Sequence, residues 1–546
     1  MEAPHDMQNP EPPGVEDVER TRPARAGGRY VPRHAATAPR PRTAPDGPST
    51  PATADPAGTA PGGGASRAQW VVLAVLSLAQ LMVVLDATIV NIALPTAQRA
   101  LAFSDENRQW VVTSYALAFG SLLLLGGRLS DVVGRKPMFL VGLVGFALAS
   151  ALGGAAQGFG VLIVARALQG AFGAMLAPAA LSLLTTTFTE PAARTKAFGI
   201  FGGVSGAGGG IGLLLGGVLT EHLSWRWCLY INVLLAVVAV AAGAGLLKHQ
   251  RPTHRPPLDW PGVATAVLGL VGVVYGLANA EVDGWGAPGT WGFLVAGVAL
   301  LALFTLLQTR AAHPLLPLRV VLDRNRGGSL LAMAITGAGM FGIFLFLTYY
   351  MAATLGYSPV QTGLGFLPMI AAISVAAGVV GSVLLPRVGP KPLVPTGLVL
   401  AAAGMVLLTR IEADSSYAPV ILPGLIVTGL GLGFLFASAM ATATLGVQAS
   451  DAGVASAMAN TAQQIGGSIG TALLSALAGS AASDYLAERV TGAPTPADVV
   501  QATLASYHTA FWWSAGIFAV GAVVAGLLLK PGAPQADPDA PPVIAH

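Results

Sequence analysis

The chain has 546 residues, of which 53% are hydrophobic and only 10% charged, with a mean hydropathy of +0.66 and a formal net charge of +3. Soluble domains carry roughly 25% charged residues, so a water-soluble globular protein is excluded. The small positive balance sits in short connections and one tail, which argues against a nucleic-acid-binding face. The single cysteine, Cys228, lies in an apolar segment and permits no intramolecular disulfide.

Residues 1–68 are rich in Pro, Ala, Gly and Arg and lack apolar periodicity, so they are expected to form a disordered cytoplasmic tail. No apolar stretch precedes Trp70, so the first hydrophobic segment reads as a retained helix, not a cleaved signal. The tail arginines, Arg20 to Arg42, set topology or bind anionic lipid.

Apolar segments then fall near 70–95, 109–127, 138–157, 160–187, 197–221, 227–247 and 259–279, and again near 290–309, 328–354, 360–385, 392–410, 418–445, 452–480 and 508–530. Continuous runs of this length predict helices and exclude barrel strands, because lipid offers the backbone no hydrogen-bond partner. The expected fold class is therefore an all-α integral membrane protein with fourteen transmembrane helices. If the tail is cytoplasmic, Arg128, Arg135, Lys136, Arg194, Lys196, Arg310, Arg387 and Lys391 fall on that side with most other loop cations. Arg99, Arg108, Arg226, Arg410 and Arg489 fall opposite. This bias orients both termini inward.

An internal repeat divides the spans. VGRKP at Val133 to Pro137 follows the second segment, and VGPKP at Val388 to Pro392 follows the tenth, 255 residues later. The glycine runs GGGIG at Gly208 to Gly212 and IGGSIG at Ile465 to Gly470 are related by a similar offset. Two six-helix halves, 69–247 and 328–530, are implied, with two inserted central helices at 259–309 and a second cytoplasmic tail at 531–546.

Several residues carry chemistry. Asp86 interrupts the apolar first segment, VVLDATIVNIALP, where an ionised group costs about 2.5–3.5 kcal/mol near the bilayer centre. An embedded carboxylate can take up and release a proton; otherwise it is a static ion pair that fixes packing. Arg166, in the fourth segment, is the one basic residue placed well within a span and needs a partner. Either it pairs with Asp86, so that protonation would leave it uncompensated and bias the bundle, or it braces backbone carbonyls. The loop GRLSDVVGRKP gathers Gly127, Asp131, Gly134, Arg135 and Lys136 in a pattern suited to a conformational latch, with Asp131 expected near the N-terminus of the third helix, where the dipole favours negative charge.

The fifth segment carries Gly208, Gly212, Gly216 and Gly217, which allow close helix approach and bending; the nucleotide-loop alternative fails because no strand precedes the run. A substrate cavity is expected from Gln80, Asn91, Tyr115, Phe344, Tyr349, Asn460, Gln463 and Gln464, the TAQQ amides being the better signal. Two serine patterns, GVSG at Gly203 to Gly206 and GGSIG at Gly466 to Gly470, would need a histidine base, and only His508 stands near a span. No metal-ligand spacing stands out.

With these residues in view, residues 70–530 resemble the fourteen-helix drug:proton antiporter branch of the major facilitator superfamily. LDATIVNIALP is similar to that branch's first-helix motif, GRLSDVVGRKP to the superfamily loop motif, and RALQGAFGA to its fourth-helix arginine motif. The resemblance implies alternating access in a bacterial cytoplasmic membrane, powered by a proton gradient without a cofactor. It further implies Asp86 as a protonation site, Arg166 as its regulatory partner, and Asp131 with Arg135 as part of a gate between halves. The fifth segment departs from the antiporter motif, since Leu213 stands after Gly212 where proline is usual, so any kink must come from glycine. The expected partners are small amphipathic substrates and the lipid bilayer, and the expected state is a monomer. Competing readings are proton-driven uptake and a non-transporting membrane sensor or protease.

Overall fold

A computed structural model describes residues 66–247, 257–312, 314–316, 318–444, 452–490 and 493–532. The expected tails lie outside these residues apart from their inner ends, where α1 already begins at Arg67 with a Ser66 and Gln69 capping box. Among the described residues fourteen helices are long and apolar enough to span a membrane. In chain order the first eight are α1 Arg67–Leu101, α2 Arg108–Val133, α3 Arg135–Gly154, α4 Phe159–Thr187, α5 Pro191–His222, α6 Trp227–Leu246, α7 Trp260–Val282 and α8 Pro288–Arg310. The others are α9 Arg324–Thr354, α10 Pro359–Val388, α11 Pro390–Leu408, α12 Tyr417–Ala443, α13 Ala452–Arg489 and α14 Pro496–Leu528.

Lipid gives helices no hydrophobic reason to associate, so contact depends on small residues that let backbones approach. α5 shows how. A Cβ on Gly212 would meet Thr88 Oγ1 of α1 at 2.0 Å, and one on Gly216 would meet the Ile89 carbonyl oxygen at 2.9 Å. The repeat reproduces this in α13, where Cβ atoms on Gly466 and Gly470 would fall 2.0 Å from the Ala334 oxygen and 2.3 Å from Ala338 Cβ of α9. Each glycine-rich helix also leans on the second helix of the opposite half, α5 on α10 and α13 on α2. The two loop repeats share a backbone feature as well: Gly134 has φ +108° and Gly389 φ +74°, so each chain reversal into α3 or α11 uses a conformation that favours glycine.

The inserted pair packs asymmetrically. α7 lies against α2 and α13, whereas α8 contacts chiefly α7 and buries only Thr290, Gly297 and Gln308. At the end of the bundle holding Tyr349, α5 and α10 meet: a Cβ on Gly217 would fall 2.7 Å from the Pro359 oxygen, and Glu221 accepts from the Val360 N–H at 3.0 Å. Toward the basic end they part, and Cβ atoms on Gly199, Gly202, Gly203 and Gly206 of α5 and on Gly378 and Gly381 of α10 would meet nothing within 4 Å.

Candidate functional site

Asp86 and Arg166 are fully buried, and they meet. The Arg166 Nη1 donates to Asp86 Oδ2 at 2.6 Å, so both charges are neutralised inside the first half. Arg166 also satisfies both earlier alternatives, since its Nε donates to the Val111 carbonyl of α2 at 3.0 Å. The other carboxylate oxygen, Oδ1, accepts from Gln169 Nε2 at 2.8 Å and from Asn232 Nδ2 at 2.7 Å. Gln169 in turn donates to Ser150 Oγ at 2.7 Å and accepts from Arg166 Nη1 at 3.1 Å. The Tyr115 ring lies over the guanidinium, 4.4 Å from its carbon, adding a cation–π attraction that gains strength away from water.

One network therefore draws side chains from α1, α2, α3, α4 and α6. A buried charge is tolerable only when paired and fully hydrogen-bonded, and three N–H donors meet that condition for Asp86. Asn232 and Ser150 were not singled out from the sequence. Asn232 had a readable signal, being the lone amide in the apolar run WCLYINVLLAVVAV, whereas Ser150 is recognisable only once α3 is placed beside α4. Tyr115 joins this network through its ring, and its hydroxyl finds no partner.

Other expected positions fall elsewhere. Asp131 is in the last turn of α2, not at the start of α3, whose first turn holds no acidic residue, because the helix break comes at Gly134; the Asp131 side chain lies outside the described residues. Lys136 donates to the Ala244 and Leu247 carbonyls at 2.7 Å each, closing the end of α6 within its own half and not bridging to the other. Arg135 is half-buried, and a Cβ on Gly127 would sit 3.8 Å from Pro178 of α4. Of the glycines, Gly208 approaches Val84 and Leu81 of α1, and α5 runs as one helix through all four.

The expected cavity residues divide. Asn91 is buried and donates to the Ala87 carbonyl; Phe344 is buried against Phe366 with ring centres 5.0 Å apart; Tyr349 is buried, donates to Gln98 Oε1 at 2.5 Å and lies beneath the Arg108 guanidinium. These three are packed, and Tyr349 helps close one end of the bundle. Gln80, Gln463 and Gln464 are half-buried and Asn460 is exposed. Gln464 meets α2 at Gly120, where a Cβ would fall 3.0 Å away.

A sequence profile of the Major Facilitator Superfamily matches residues 76–471. The chain belongs to the major facilitator superfamily. It is 49% identical over 472 residues to a puromycin resistance protein of Streptomyces alboniger, covering 86% of this chain and 93% of that protein. It is 39% identical over 413 residues to a cephamycin export protein of Amycolatopsis lactamdurans, covering 75% and 85%. A solved bacterial homologue of the human lysosomal transporter Spinster shares the fold, with a TM-score of 0.59 at 14% identity over 85% of this chain and 98% of that one. As a superfamily member the protein is a multi-pass membrane transporter and not an enzyme. The serine motifs accord with this: Ser205 donates to the Phe201 carbonyl, Ser468 to the Gln464 carbonyl, and His508 Nε2 lies 2.7 Å from the Ile411 carbonyl oxygen, so each is occupied locally.

Proposed function

We propose that the protein is a proton-coupled antiporter that exports drug-like or antibiotic small molecules across the bacterial cytoplasmic membrane by alternating access. Both termini are cytoplasmic, the proton gradient supplies the energy without a cofactor, and the chain works as a monomer on amphipathic substrates. Export is supported by the relatives whose names record antibiotic resistance and export. Orientation is supported by the basic loops.

The observation that carries proton coupling is the buried Asp86–Arg166 pair. A proton arriving at Asp86 converts it from an acceptor-only carboxylate to a neutral acid, which removes the charge opposing Arg166. Breaking a buried pair by removing one partner costs about 3–5 kcal/mol, enough to shift a balance between two arrangements that differ by a few kcal/mol. Five helices share the network, so the first half repacks as a unit. The charged pair lies within the first half, where α1 meets α4.

The test is efflux of fluorescent and antibiotic substrates in energised inverted vesicles, comparing wild type with Asp86→Asn, with and without an uncoupler. The expected result is uncoupler-sensitive transport in wild type that is lost in the variant. Flux that persists in Asp86→Asn sinks the assigned proton site, and flux indifferent to the uncoupler sinks coupling altogether.

A further inference from the structure

The inserted pair of helices carries an acid just past the apolar segment expected near 259–279. α7 continues to Val282, and Glu281 lies in its last turn, half-buried. Its carboxyl group accepts from Nε2 of Gln109 in the first turn of α2. On the other side Glu281 Cγ lies 3.1 Å from where a Cβ on Gly479 of α13 would stand, so the second half leaves room for it. An apolar seam of Leu270, Val274 and Leu277 against Leu117 of α2 and Ala472 of α13 seats α7 between the halves. First half, insertion and second half thus meet at one titratable side chain.

Gln109 is 1% exposed, and its amide oxygen has no hydrogen-bond donor. A carboxylate can only accept, whereas a neutral carboxyl also offers one O–H. With the amide turned over, the Gln109 oxygen takes the place of Nε2 against the carboxyl, and the donor it then needs is the O–H of a protonated Glu281. Among the charged neighbours Arg108 is the one cation acting on Glu281, and it is shared with other groups. Arg108 lies over the Tyr349 ring at 4.4 Å and 3.8 Å from Asp105, Glu106 and Asp105 are acidic, and the nearest charged residue along α13 is Asp484.

We propose that Glu281 is a second proton-binding carboxyl of the transport cycle. It holds a proton while α2, α7 and α13 are packed at this end, donating its O–H to the Gln109 oxygen. When that end opens, the O–H bond breaks, the proton passes to water and the carboxylate remains. This rests on the proton-coupled exchange proposed above and adds a site on the inserted helices, which gives them a part in coupling.

The experiment is infrared spectroscopy of the full-length protein in lipid bilayers at neutral pH, paired with measurement of the protons released when substrate is added. Glu281→Gln preserves a donor and an acceptor toward Gln109 and is expected to fold. It should remove part of the neutral-carboxyl carbonyl band, Asp86→Asn should leave that part in place, and Gln109→Leu should weaken it. Proton release should be smaller in Glu281→Gln than in wild type. A band unchanged by Glu281→Gln, or a band lost with proton release unchanged, overturns the proposal. Failure of the export reading would show differently, as wild-type flux insensitive to the uncoupler.

Discussion

The two halves repeat one backbone plan but fill it differently. The first encloses Asp86 and Arg166, the fully buried charged side chains among the described residues, while the second contributes Phe341, Phe344, Phe346, Tyr350, Phe366 and Tyr507 to an apolar cluster that also takes in residues of the first half. The glycine contacts of α5 on α1 and of α13 on α9 are alike, so shared helix packing does not require shared chemistry. One half buries a charged pair, and the other buries hydroxyl groups and rings without one.

The sharpest way to break this comparison is to strand a charge. Arg166→Ala leaves Asp86 buried with two amide donors and no cation, and it is expected to cost about 3–5 kcal/mol and abolish gradient-driven export. Thermal unfolding in detergent and vesicle efflux would read the two effects. The double variant Asp86→Asn with Arg166→Met should recover much of the stability without recovering coupling. An Arg166→Ala protein as stable as wild type would remove the charged interior as the feature that separates the halves.

A middle-sized effect distinguishes glycines that hold helices together from those that do not. Gly212→Ala drives a Cβ into Thr88 Oγ1, whereas Gly203→Ala meets open space. Overpacking costs typically about 1–3 kcal/mol, while alanine for glycine in an unobstructed helix gains up to about 1 kcal/mol. Gly466→Ala in α13 should behave like Gly212→Ala, and equal unfolding temperatures for Gly212→Ala and Gly203→Ala would sink the argument. In the second half, Phe344→Leu should do less, since it keeps apolar volume and loses a ring contact of about 0.5–1.5 kcal/mol; it should leave the uncoupler sensitivity of transport intact.

These residues also show what could be read without coordinates. The span count followed from hydropathy alone, because every crossing segment must satisfy its own backbone, and the VGRKP and VGPKP repeat marked two glycines that both adopt positive φ. Asp86 and Arg166 were legible because a charge inside an apolar run is costly wherever it points. Asn232 and Ser150 were not, since a single polar residue gains meaning only from what faces it across the bundle. The structure packs Asn91, Phe344 and Tyr349, and polarity or aromaticity in a span does not say whether a residue faces a gap or a neighbouring helix. Glu281 stands in the last turn of α7, just past the apolar segment, where hydropathy gives no sign of what it faces.

The smallest effect concerns a carboxylate outside the spans, where charge is cheap. Asp323 caps α9, accepting from the N–H groups of Asn325 and Arg326 at 3.1 Å each, with Arg326 Nε 3.6 Å away. Partial burial pushes its pKa up, but the two N–H bonds and the Arg326 guanidinium outweigh that and hold it below the usual carboxylate value. A group whose folded pKa is depressed stabilises the fold above its unfolded pKa and loses that contribution as pH falls through the folded one. Solvent screens this half-open site, so the expected cost of Asp323→Ala at neutral pH is that of a lost cap, about 1 kcal/mol. The unfolding temperatures of wild type and Asp323→Ala should converge as the medium is acidified below the carboxylate range. A difference that persists unchanged in acid would mean that the carboxylate's charge adds nothing to the cap, whereas the same acidification should leave the gap between Gly212→Ala and Gly203→Ala untouched.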